Sequence, residues 1–207
     1  MPGILISMNL DIQDGRFLVS TARETIREYV VHHVRIDVPD DTDSRLREKA
    51  GVFVTINTHP SRRLRGCIGH PYPDSPLIEA LIDSAVSACS RDPRFPDVKP
   101  DELDHLLVEV TVLSPPEVIK VARPADYVNQ IEIGRHGLIV RKGPYQGLLL
   151  PQVAVEQSWE AEDFLSHTCH KAGLPMTAWI DEDTEVQRFE GFIFAEEEPG
   201  GRVVEKD

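Results

Sequence analysis

The chain has 207 residues, of which 41% are hydrophobic and 28% are charged, and its formal net charge at pH 7 is -13. This length suits one globular domain, or a domain split into two lobes. An acidic surface repels nucleic-acid phosphates and anionic lipid headgroups, so we expect neither nucleic acid nor a membrane surface as a partner.

Cysteine usage and the start of the chain predict a cytoplasmic protein. Cys67, Cys89 and Cys169 lie far apart, with no CxxC spacing. A sparse, odd set of cysteines is typical of a reducing compartment. Residues 4–6 are apolar but lack the basic start and long apolar centre of a signal peptide. No apolar run approaches the ~20 residues that span a bilayer.

The first half of the chain alternates between helix and strand patterns. Apolar residues recur at helical spacing over residues 18–30 and over residues 77–90. The second of these helices ends at Asp92-Pro93, because proline cannot continue a helix. Three β-branched or alternating runs are typical of strands, namely residues 52–56, 64–69 and 106–113.

Ser114-Pro115-Pro116 ends the last of these strands, and the pattern then changes. We expect Ser158 to cap a helix that runs to about Ala172, with Gly173 after its end. A last strand is predicted over residues 186–195. Glycine turns separate three further short strands, predicted over residues 131–134, 138–141 and 147–150.

The break at Ser114-Pro115-Pro116 also predicts the domain organisation. We expect a small lobe at residues 117–180, and a large lobe at residues 1–116 with residues 181–207, because the final strand would return to the first sheet. Together the two lobes would make one domain of mixed α/β (α+β) class.

Leu64-Arg65-Gly66-Cys67-Ile68-Gly69 resembles the hexapeptide signature of the AMMECR family. Further matches occur in order along nearly the whole chain, at residues 51–55, 92–95, 109–114, 136–140 and 147–152. The resemblance implies two unequal lobes with antiparallel sheets, and it places the hexapeptide strand toward a groove between them. It also implies association, by gene neighbourhood or fusion, with a Memo-like protein and a radical SAM protein. It brings no established reaction.

Strand alternation decides what the hexapeptide can present to such a groove. Leu64, Gly66 and Ile68 would face the core, and Arg65 and Cys67 would share the other face. A nearby guanidinium favours the thiolate, so Arg65 is expected to lower the pKa of Cys67. The alternative is that Cys67 is a small buried hydrophobe, which is the role we expect for Cys89 and Cys169.

A thiolate nucleophile would need a base, and four other positions would complete a ligand site. His136, from the small lobe, is the candidate base; the alternative is a capping or exposed histidine. Glu109 could act as a base or neutralise Arg65 in a structural ion pair. Expected ligand-binding residues are Gly66 and Gly69, which let a ligand approach closely, Arg94 as an anion clamp, and Gln152. The alternative for Arg94 is that it fixes the loop after the second helix together with Asp92.

We expect neither a metal site nor a cofactor. Asp163, His167 and His170 share one helical face, but a solvated polar face explains them better than a divalent ion. Whether the protein is an enzyme stays open. The favoured function is partner binding or regulation beside the Memo-like and radical SAM proteins; the alternative is an enzyme that uses Cys67 on a small molecule in the groove.

Overall fold

The structure is a computed structural model that describes residues 10–206. The apolar residues 4–6 therefore lie outside the described residues. Within the described range, no helix is long and apolar enough to cross a membrane. The described residues divide into two compact units, one made of residues 10–113 and 192–206, and the other of residues 114–191.

Two long helices cover the core of the first unit. Helix α1 (Ile12–His32) begins at Asp11, whose carboxylate accepts the backbone N–H groups of Gln13 and Asp14. Helix α2 (Leu77–Ser90) buries the apolar arc that its spacing predicts, including Leu81, Ile82 and Cys89. Both predicted helices are confirmed.

The sheet of the first unit is antiparallel. Strand β1 (Gly51–Thr58) lies between β2 (Leu64–His70) and β3 (Leu106–Leu113). Helix α2 packs against β1 and β2. The core face of the sheet is a set of buried β-branched side chains, and Gly66 allows α2 to approach β2 closely. The members of that set are Val52, Val54, Ile56, Val108, Val110 and Val112.

The second unit has its own antiparallel strands. These are β4 (Glu117–Val118), β5 (His136–Lys142), β6 (Tyr145–Leu149) and the first part of β7 (Glu185–Glu196). Strand β7 pairs with β4 and β5, and β5 pairs with β6. The last part of β7 belongs to the first unit, where it pairs with β8 (Val203–Lys206).

Two helices complete the second unit, α3 (Pro151–Glu156) and α4 (Ala161–Lys171). The prediction that Ser158 caps α4 is wrong. The N-cap residue is Glu160, and Ser158 lies in the turn before it with a φ of 55°. The strand predicted over residues 131–134 is also wrong, because a turn at Gly134, with φ of 88°, occupies that segment. The mixed α/β class with antiparallel sheets is confirmed.

Candidate functional site

Cys67 lies at the middle of edge strand β2, opposite Thr55 of β1, which in turn lies opposite Glu109 of β3. These three side chains therefore form a row across one face of the sheet, while Ile68 and Gly66 face α2. The hydroxyl of Thr55 lies 3.3 Å from the Cys67 sulfur and donates a hydrogen bond to it.

The outer edge of β2 is capped by a side-chain pair. The backbone N–H of Cys67 donates to Asp92 Oδ2 at 2.9 Å, and Arg94 Nη2 donates to the Cys67 carbonyl at 3.2 Å. Arg94 also holds Asp92 through Nε and Nη2, at 2.9 and 2.7 Å. The pair thus takes the place of a neighbouring strand at the point where β2 would otherwise expose its backbone.

Arg65 does not share the face of Cys67, and this prediction is wrong. The pairing register shifts between Ile56 and Asn57, so that Arg65 is the extra residue of a bulge. Its guanidinium donates to the Glu102 carboxylate at 2.8 and 2.9 Å and to the carbonyls of Pro96 and Asp97. The thiol on which its charge acts is Cys89, in α2.

The same bulge moves Leu64 to the other side of β2. Leu64 pairs with Asn57, which shares a face with Thr55, and it is 39% exposed. The prediction that Leu64 faces the core is therefore wrong. Ile68, which lies beyond the bulge, packs against the core as predicted.

Both glycines of the hexapeptide serve packing rather than ligand approach. A Cβ at Gly66 would lie 2.1 Å from the carbonyl oxygen of Ala88 in α2. A Cβ at Gly69 would lie 2.4 Å from the ring of Phe53, its cross-strand partner. Because helix backbone and an aromatic ring already fill these spaces, neither glycine opens room for a ligand.

Glu109 pairs with Lys206 of β8, not with Arg65. The proposed neutralisation of Arg65 by Glu109 is therefore wrong, since Glu102 takes that role. Glu102 belongs to the short 3-10 helix Pro100–His105, which the sequence did not predict.

Burial raises the pKa of the Cys67 thiol, and the charges of Asp92 and Glu109 act in the same direction. The Thr55 hydrogen bond and the Arg94 guanidinium lower the pKa, but burial has the largest effect. The lowered pKa predicted from the sequence is wrong. Within the described part of the first unit, the charged groups that act on the thiol are those of Arg94, Asp92 and Glu109, and no histidine is among them.

Asp92 and Arg94 have one function that the structure explains directly. The Asp92 side chain is almost fully buried, and the Arg94 guanidinium holds the pKa of its carboxyl far below the usual value. Arg94 is committed to Asp92 and to the Cys67 carbonyl, so its first role is to cap β2 rather than to clamp an anion. The predicted loop-fixing role of the pair is confirmed.

His136 lies at the start of β5 in the second unit and is buried. Its Nδ1 accepts the backbone N–H of Glu132 at 2.9 Å, which places the ring proton of the neutral form on Nε2. Nε2 lies 3.9 Å from Glu190 Oε1. Burial lowers the pKa of His136, and the charge of Arg188 lowers it further. The pairing of His136 with Cys67 stays a prediction.

Gln152 is exposed on α3, and its role in ligand binding stays a prediction. Cys89 and Cys169 are 2% and 0% exposed, which confirms their predicted place in the core. His167 stacks on Trp159 with ring centroids 3.9 Å apart. Residues 10–206 contain no group of three His, Cys, Asp or Glu side chains arranged to hold a metal ion.

The helices and antiparallel strands of the two units make this a mixed α/β protein, and its fold occurs in a solved structure. The crystal structure of the uncharacterised protein PH0010 from Pyrococcus horikoshii is similar to it, with a TM-score of 0.84 and 50% identity over 95% of this chain and 98% of that one.

The sequence comparisons place the chain in a family. Protein TK0174 of Thermococcus kodakarensis is 53% identical over 93% of this chain and 95% of its own length. Protein MK0488 of Methanopyrus kandleri is 49% identical over 96% of both chains. The sequence profile of the AMMECR1 family matches residues 19–194. The chain belongs to the AMMECR1 family.

Proposed function

We propose that this chain is a partner-binding component of the cytoplasm that acts beside a Memo-like protein and a radical SAM protein. The observation that carries this proposal is the state of the hexapeptide strand. Its arginine is bound by Glu102, its glycines accommodate Ala88 and Phe53, and burial raises the pKa of its cysteine. These residues are committed to the structure of the first unit.

A neutral thiol is a poor nucleophile, since the thiolate is the reactive form. Activation would require a base or a cation that outweighs burial, as in thiol enzymes where a histidine takes the proton. At Cys67 the Arg94 guanidinium is already paired with Asp92, and Glu109 is paired with Lys206. This arrangement favours binding over a reaction at the hexapeptide.

The identity of the partners comes from the family resemblance, in which gene neighbourhood and fusion link AMMECR proteins to Memo-like and radical SAM proteins. The net charge of -13 supports a protein partner over nucleic acid or an anionic membrane. A partner with a basic contact surface would associate fastest, because opposite charges steer the encounter.

Size-exclusion chromatography with light scattering tests this proposal on the purified full-length proteins. The chain, mixed with the Memo-like protein of the same organism, should elute earlier than either protein alone, at the summed mass. Cys67→Ala should co-elute equally well, because the thiol is not needed for binding. Separate elution of the two proteins at tens of micromolar, a weak-affinity scale, contradicts the proposal.

Thiol chemistry at Cys67 is the second candidate, and two contacts favour it. The Thr55 hydroxyl and the Arg94 guanidinium both stabilise the thiolate. If Cys67 carries a reaction, Thr55→Val should lower its alkylation rate at neutral pH by removing a donor to the sulfur. An unchanged rate would leave this candidate without support.

A further inference from the structure

A polar cavity of about 330 Å³ in the second unit surrounds the open side of His136. Its wall comes from four places, the end of the 3-10 helix Pro124–Gln130, the turn that follows it, the start of strand β5, and strand β7. The charged side chains in the wall are two arginines and two glutamates, so that their formal charges cancel. They are Glu132, Arg135, Arg188 and Glu190.

His136 presents a hydrogen-bond donor to this cavity. The residue is 8% exposed, and its ring is fixed on one side by the bond from the Glu132 N–H to Nδ1. The ring proton of the neutral form is therefore on Nε2, whose nearest carboxylate, that of Glu190, lies 3.9 Å away. This distance is too long for a hydrogen bond, so the donor is left for a ligand or water.

Arg188 is the cation that accompanies this donor. It lies on β7 opposite Leu138, on the same strand face as Glu190, which is opposite His136. One of its Nη groups donates to the carbonyl of Gln130 at 2.9 Å, and the other lies 3.8 Å from Glu117 on β4. An oxyanion placed between Arg188 and His136 would accept hydrogen bonds from both.

The cavity wall also carries two carboxylates, those of Glu132 and Glu190. Arg135 holds Glu190 at 3.0 Å and Glu132 at 3.3 Å, which fixes both acid groups at the cavity wall. A simple anion would use only the donors of Arg188 and His136 and would leave the Glu190 carboxylate without a partner from the ligand. A ligand that carries both a carboxylate and an ammonium group offers a partner to each kind of charged group in the wall.

We propose that this cavity binds a small zwitterion with the chemistry of a free amino acid. The ligand carboxylate accepts from His136 Nε2–H and from Arg188, and its ammonium group donates to Glu190. His136 Nε2 and Glu190 Oε1 are 3.9 Å apart, which is close enough for one α-amino acid to contact both, because its ammonium and carboxylate groups are bonded to the same carbon. The almost wholly polar wall favours small polar members of the class.

NMR observation of the His136 ring in the labelled full-length protein tests the proposal. The standard amino acids are added singly up to ~10 mM, a weak-affinity range. At least one should shift the His136 signals saturably, while exposed His170 does not respond. Acetate and methylammonium, which each carry one of the two charges, should bind at least tenfold more weakly. Absence of a saturable response to every amino acid, or an equal response to acetate, overturns the proposal.

Two variants assign the binding to these residues. Arg188→Met should weaken amino-acid binding at least tenfold, and His136→Gln should do the same. Arg141→Met is the matched control, because Arg141 lies on β5 outside the cavity wall and bonds to Gln146; it should bind as the wild type does. Since His136→Gln removes the bond to Glu132 and could disturb the turn, the Arg188→Met result decides if that variant unfolds. Equal affinity of Arg188→Met and the wild type contradicts the assignment.

Discussion

The buried carboxylate of Asp92 accepts the backbone N–H of Cys67 at 2.9 Å, across 25 residues of sequence. This bond ties the loop after α2 to the edge of β2. Together with the bond from Arg94 to the Cys67 carbonyl, it gives the backbone N–H and C=O of Cys67 hydrogen-bond partners. Because the acceptor is charged and buried, its removal should cost more than that of an ordinary surface hydrogen bond.

Asp92→Asn should therefore destabilise the protein. The amide loses the ionic bond to Arg94 and weakens the acceptor for Cys67 N–H, which we expect to cost about 1–3 kcal/mol of unfolding free energy. Urea denaturation followed by circular dichroism measures the change. Asp83→Asn is the control, since Asp83 pairs with Arg35 on the surface and should cost less than ~1 kcal/mol. Equal effects of the two substitutions would contradict the account of the cap.

The stability that Asp92 contributes should also depend on pH. The Arg94 guanidinium and the N–H donors hold the pKa of this carboxyl below its ordinary value of 3.8. The contribution is therefore complete above pH ~3.8 and is lost as the pH falls through the folded-state pKa. The difference in unfolding free energy between the wild type and Asp92→Asn should shrink below that pH. A difference that grows on acidification would show that the ionised carboxylate is not what stabilises the strand.

Gly66→Ala should be poorly tolerated. Its new Cβ would meet the Ala88 carbonyl oxygen at 2.1 Å, so that α2 must move away from β2. We expect a loss of about 1–3 kcal/mol or more, as for other overpacked sites, measured by thermal unfolding. Gly143→Asn is the control, because its Cβ has open space and asparagine tolerates the φ of 55° found there. A wild-type melting temperature for Gly66→Ala would contradict this packing.

Cys67 should be the first of the three cysteines to react with iodoacetamide, yet it should behave as a thiol of raised pKa. It is partly exposed, whereas Cys89 and Cys169 are buried, and burial raises the pKa of Cys89 to about 11. The pH profile of Cys67 alkylation should rise only above the ordinary thiol range. Arg65→Met should leave the profile unchanged, and Arg94→Met should shift it upward. A midpoint below the ordinary thiol pKa would contradict this prediction and support the hypothesis that Cys67 is an activated thiolate.

Nucleic acid should not bind at physiological salt. The net charge of -13 opposes the phosphate backbone, whose contacts require a basic surface. Fluorescence anisotropy with labelled DNA and RNA oligonucleotides should show no binding below the micromolar range. A sub-micromolar affinity that weakens with salt would show that the net charge hides a basic site.

How much of this could be predicted from the sequence differs between the elements and the site. Helix α2 was predicted from residue to residue, because its apolar arc repeats at 3.6-residue spacing without interruption. The same reasoning misplaced Arg65 and Leu64, because alternation assumes an uninterrupted strand. The bulge changes the faces of Arg65 and of Leu64 before it, while residues 66–68 keep the predicted alternation. The bulge leaves no sign in a sequence that reads as a regular strand.

The ion-pair partners of the charged residues were harder to predict from the sequence than the strand faces. Arg65 pairs with Glu102, and Glu109 pairs with Lys206, only because segments distant in sequence pack together. The sequence contains many other basic and acidic residues and does not indicate which of them pair. Asp92 and Arg94 were predicted to fix a loop, but their bond to Cys67 depends on where the chain returns after α2. One signal could have indicated this cap of β2. An acidic and a basic residue, Asp92 and Arg94, stand two positions apart in the loop directly after a predicted helix.

The affinity of the purified chain for the Memo-like protein, measured by isothermal titration calorimetry, tests the central claim most directly. The account predicts saturable binding with a Kd in the micromolar range or tighter, and a Cys67→Ala variant that binds within about twofold of the wild type, because the thiol is held as part of the fold. Absence of measurable heat at tens of micromolar, with both proteins folded, would contradict it.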